Sequence, residues 1–157
     1  MRLFARDYFA NDQNMKYLTQ ECSFDIPSLS DDRTVNVLTL VHPDTSGTFQ
    51  IVVSRDQLIG GEDLSRCMQR QIGLMTRHVT GFKEISRRPV EIGEQRAPAL
   101  ELESTFRQSG SAFYQIQAMT AVDAPRLLVI TLSSQTPLTE LHRTTWRTLL
   151  DSYSAHA

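Results

Sequence analysis

Apolar and β-branched residues gather in strand-like runs along this chain, and the stretch from Thr34 to Asp56 is the one the rest is organised around. Two arms rich in β-branched residues flank a turn built from His42-Pro43-Asp44-Thr45-Ser46-Gly47, which predicts a β-hairpin. Val35, Val37 and Val41 point one way and Leu38 and Leu40 the other. In the second arm Phe49, Ile51 and Val53 oppose Val52. A hairpin-built sheet usually gives one face to water. Here both faces are apolar, so the second needs a cover, and the nature of that cover is the functional question.

The remaining pattern predicts further strands and two principal helices. Residues 15–25 read as one or two short strands, with Tyr17, Cys22, Phe24 and Ile26 as apolar positions and Pro27 as the stop. Residues 62–79 predict a helix, with Leu64, Cys67, Met68, Gln71, Ile72, Met75 and Val79 on one stripe. Strands are predicted over 82–92, 97–108, 112–122 and 126–133, and a last helix over 138–153. In the strand at 97–108 the acids Glu101 and Glu103 share the face opposite Leu100, Leu102 and Phe106, where alternating acids read as a solvated face. The expected fold is α+β, with a mainly antiparallel β-sheet and two principal helices. Residues 1–14 are expected as an N-terminal extension and 15–157 as a single domain. Two helices need not cover both sheet faces, and the uncovered apolar face would form a groove.

Composition narrows the functions. The chain has 157 residues, 40% hydrophobic and 22% charged, which fits a globular protein with a core. Its net charge of −2, without a basic run, argues against a nucleic-acid partner. Cys22 and Cys67 form no CxxC pair and read as buried thiols of a reducing compartment, with a disulfide between them as the alternative. No stretch reaches the ~20 apolar residues of a membrane span, and the first residues lack a secretory h-region. The expected localisation is cytoplasmic. His42, His78, His142 and His156 are scattered, and no P-loop, GxGxxG or GxSxG is present. No catalytic residue, metal or cofactor is expected. What stands out is amide side chains among apolar strand residues, a mixture suited to holding an amphipathic or membrane-type helix in water. An ordinary core rimmed by glutamines gives the same pattern.

One resemblance sharpens this. Phe24-Asp25-Ile26-Pro27, then Asp32-Arg33-Thr34-Val35-Asn36-Val37-Leu38-Thr39-Leu40, Ile51-Val52-Val53-Ser54-Arg55-Asp56, Arg70-Gln71-Ile72 and Gly81-Phe82-Lys83 occur in an order and spacing that resembles the Eag chaperones. These are the effector-associated chaperones of bacterial type VI secretion, and the resemblance spans residues 15–153. It implies a PsbP-like, Mog-type α/β sandwich and a homodimer. It implies binding to the N-terminal transmembrane helices of a secreted effector of the PAAR or Rhs type. Those helices would be shielded from water and the effector helped onto the VgrG spike, without insertion into the membrane. The positions carried over are Val35, Val37, Val52, Gln71, Val79 and Gln117; Phe113, Gln115 and Met119 join them by sharing a strand face with Gln117. The alternatives are a carrier of a small hydrophobic ligand or lipid on the same face, and a general protein-interaction module of the same fold.

Overall fold

Eight strands and two helices are formed by the residues that the computed structural model describes, which are 14–27, 29 and 31–156. They fall into two compact units, divided between Asp32 and Arg33. The expected extension over 1–14 lies, but for Asn14, outside the described residues.

In the first unit β1 (Met15–Leu18) pairs antiparallel with β2 (Ser23–Ile26). Tyr17 and Phe24 face each other across the pair with ring centroids 5.3 Å apart. Thr19 holds the turn, its Oγ1 accepting the N–H groups of Glu21 and Cys22.

The second unit contains β3 (Asn36–Val41), β4 (Thr48–Gln57), α1 (Leu64–Met75), β5 (Thr80–Ile92), β6 (Ala97–Gln108), β7 (Ser111–Asp123), β8 (Arg126–Ser134) and α2 (Glu140–Asp151). Its six strands form one antiparallel sheet in the order β3-β4-β8-β7-β6-β5. The fold is α+β with a mainly antiparallel sheet and two helices, as the alternation predicts. Strands β5 to β8 follow one another as hairpins, and α1 carries the chain from β4 to the far edge at β5.

Each helix packs on a different face. Asp63 caps α1, its Oδ1 accepting the Arg66 N–H at 2.8 Å. Cys67 and Met68 are fully buried and pack with Leu102, Met119, Leu127 and Val129. Glu62 lies just outside this helix, where Arg70 Nη2 donates to it at 2.6 Å. That hydrogen bond is the main reason the Glu62 carboxyl is held down to about 2. Helix α2 places Trp146 and Leu150 on the other face, against Phe49, Ile51, Ile116, Ala118, Ile130 and Leu132.

Simple dimensions show why cover is incomplete. Six strands at ~4.8 Å spacing span about 24 Å, whereas a helix with its side chains is only about 10 Å wide. One helix per face therefore leaves strands open at the sides of the sheet.

Candidate functional site

The face under α1 is built from strand register. Val37 pairs with Val52, Val52 with Thr131, Thr131 with Gln117, and Gln117 with Leu102, so these five side chains form one row across five strands. Two residues along, Thr39, Gln50, Ser133, Gln115 and Ser104 form a second row in the same order. Helix α1 packs on β6 and β7, and Leu102 and Ser104 at that end of the rows are buried. The β3, β4 and β8 ends stay open. Val37 is 55% exposed, and Val35, Val41, Thr39 and Gln50 are exposed as well. Val52, Thr131, Ser133, Gln115 and Gln117 are half-buried.

This open strip carries no ionisable side chain at any of those ten positions. The opposite flank of the same face differs. There β5 presents Glu84, Arg87, Pro89 and Glu91. Both flanks escape α1, but only the β3–β4 flank is apolar. The two edges differ as well. β5 is interrupted by two register shifts and carries Pro89, features that block further pairing, whereas β3 has neither.

The structure brings together most of the residues expected to bind a client helix. Val37, Val52, Gln115 and Gln117 lie in the two rows, and Val35 is exposed one residue ahead of β3. Phe113 sits on the same face at the sheet's end, half-buried and stacked on Phe106 with centroids 5.4 Å apart. Gln71 projects from α1 toward β4, where its Nε2 donates to Asp56 Oδ2 at 2.5 Å. Val79 is half-buried in the link between α1 and β5.

Met119 is the correction. It shares the face of Gln117 but is wholly buried beneath Cys67 and Met68, so α1 already occupies the space above it. Pattern alone also misses Thr39, Gln50, Thr131 and Ser133. The β3–β4 and β7–β8 hairpins put them beside the expected residues, and the pairing of β4 with β8 joins the two sets into one surface.

On the α2 face the expected solvated acids are not solvated. Glu101 is 7% exposed, accepting from Trp146 Nε1 at 2.9 Å and Arg88 Nε at 3.1 Å. Glu103 accepts from both terminal nitrogens of Arg143, at 3.1 and 2.8 Å. Both acids tie α2 to the sheet. His142 lies on α2 itself. It is buried in edge contact with Phe49 and His42, and its Nδ1 accepts the Thr139 N–H at 2.9 Å. Burial first, then the charge of His42, pushes its pKa below the usual imidazole value. Cys67 is buried as expected, its thiol pushed up to about 11 by desolvation, but Cys22 is exposed.

Cavities open at several places among the described residues. Two of about 480 and 450 Å³ border the C-terminal residues Tyr153, Ser154 and Ala155. One of about 330 Å³ touches the strip at Gln50, Ser133 and Phe113. Among the described residues no group of three or more His, Cys, Asp or Glu could hold a metal ion. No described helix is long and apolar enough to cross a membrane.

Comparison with known proteins adds fold and family. The protein PA94 of Pseudomonas aeruginosa, of unknown function and described as a candidate regulator, has a similar crystal structure. It matches with a TM-score of 0.77 at 20% identity, over 92% of this chain and 98% of that one, a likeness of fold. No curated protein matches by sequence. A family model described as DcrB matches residues 21–152.

Proposed function

We propose a function from the premise that this chain belongs to the DcrB family, whose model spans it from β2 to α2. The chain acts as a chaperone and adaptor that holds apolar helices out of water on the open strip beside α1. The clients are the N-terminal transmembrane helices of a type VI secretion effector of the PAAR or Rhs type, bound in the cytoplasm before the effector loads onto VgrG. One observation carries this reading: the strip is apolar and amide-rich, free of charge, and left open by α1.

Binding needs no catalysis. Val35, Val37, Val41 and Val52 bury client side chains at roughly 25 cal/mol per Å². The amides and hydroxyls of the second row meet polar groups that a membrane helix hides among its apolar residues, without burying charge. A homodimer fits the same picture, because the edge of β3 has no proline or register shift to prevent a second copy from approaching.

The test is co-expression with the N-terminal apolar segment of such an effector, followed by size-exclusion chromatography with light scattering. A soluble complex of two chaperones with one client is expected. A monomer that leaves the client insoluble refutes the proposal and favours a carrier of small hydrophobic ligands.

A further inference from the structure

We propose that the cavity between the sheet and the residues after α2 binds a linear amphipathic anion, an alkyl chain with a carboxylate or phosphate head held by Arg55 and Arg126. The site is on the α2 face, away from the open strip, so the inference stands apart from the helix-binding reading.

Strand facing places the groups. On β4, Val53, Arg55 and Gln57 point to the α2 face, where they pair with Ile130, Leu128 and Arg126 of β8. Along both strands this face thus runs from apolar to polar and cationic. Helix α2 ends at Asp151 and leaves the corner to the residues that follow it. Gly93 fixes their course. Its N–H donates to Leu150 O at 2.9 Å, and a Cβ there would lie 2.2 Å from the Tyr153 carbonyl oxygen. Only glycine allows that approach. Tyr153, Val53, Val122 and Leu128 line the cavity of about 450 Å³, a size within the ~300–1,000 Å³ common for ligand sites.

Charge indicates the head group. Arg55, Arg126 and His156 line the same cavity, and among the described residues no Asp or Glu does. Elsewhere Arg70, Arg88 and Arg143 each meet a carboxylate, at 2.6, 3.1 and 2.8 Å. Arg55 is half-buried and has no such ion pair among the described residues. Its Nη1 donates to Thr34 O at 2.9 Å and Asn36 Oδ1 at 3.0 Å. These neutral oxygens orient the guanidinium and leave its charge unbalanced. Arg126 reaches Asp123 only at 3.4 Å, with both side chains largely exposed. An anion at the mouth would balance the charge through charge-assisted hydrogen bonds. Its alkyl chain would lie inward over Val53 and Leu128 and shed water there.

The test is isothermal titration calorimetry of the full chain with octanoate, octyl phosphate and octanol, which share a tail and differ in head. The better anion should bind at least about tenfold more tightly than octanol, and its identity names the head group. Two further methylenes in the tail should tighten binding about tenfold. Arg126→Gln changes an exposed residue and should weaken the better anion about tenfold while leaving octanol unchanged. Val122→Asp, at a 40% exposed position in the wall, should weaken anion and alcohol alike. Equal affinities for anion and alcohol, as the uncharged strip would give, overturn the proposal. So does absence of binding at millimolar ligand. An Arg126→Gln variant that keeps the anion affinity, or loses anion and alcohol together, overturns the head-group role of Arg126.

Discussion

Val37→Asp separates the strip's function from the protein's stability. In the free chain Val37 is 55% exposed on an edge strand, with Val52 as its cross-strand neighbour. Its loss there is limited to β-propensity, about 1 kcal/mol at most. Against an apolar helix two costs appear. The remaining apolar surface of Val37 no longer gains by burial, about 1 kcal/mol. The new carboxylate must lose its water or take up a proton. Protonation at pH 7 lies about 3 units from the ordinary Asp pKa and costs about 4 kcal/mol. Together these come to about 5 kcal/mol, more than a thousandfold in affinity. Two controls locate the effect. Val37→Ala loses only the apolar contribution and should weaken binding less than tenfold. Ile85→Asp places the same charge at a 48% exposed position on the opposite edge strand and should leave binding intact. The assay is co-purification with the client segment, with a thermal melt of each variant. A Val37→Asp protein that melts within a few degrees of the unaltered chain and still holds its client refutes the assignment of the strip.

Other consequences follow from the α2 side and the thiols. Trp146→Phe removes the donor to buried Glu101 Oε2 and should cost about 2 kcal/mol, lowering the melting temperature by about 4–8 °C in a scanning calorimeter. His142 is harder to protonate folded than unfolded, so the unfolded chain binds more protons as pH falls through the ordinary value of 6.5. Stability is therefore full above that value and falls below it; melts at pH 7.5 and 5.5 should show the loss, and His142→Leu should flatten the His142 part of it. A thiol reagent at neutral pH should label Cys22 at once and Cys67 only after denaturation, because Cys67 is buried with its thiol raised to about 11; two thiols labelled in the native protein would contradict that packing.

Much of this architecture is visible in the chain itself. Alternation through 34–56 places Val37 and Val52 opposite Leu38 and Ile51 in facing, and the paired strands keep that division. The strand at Ala97–Gln108 has the bounds that its pattern predicts. Alternation is a local property of extended backbone, so the side a residue points to can be read from its immediate neighbours. Which neighbours it meets on that side cannot. The row from Val37 to Leu102 exists because β4 joins β8, a pairing of strands far apart in sequence. Glu101 looks solvated by its strand pattern and is buried because α2 lays Trp146 across it. Gln117 and Met119 occupy the same strand and the same face, yet one borders the open strip and the other is sealed in the core. The sequence determines the facing of both. A helix about 10 Å wide decides which one it covers, and that depends on where the whole fold sets it down.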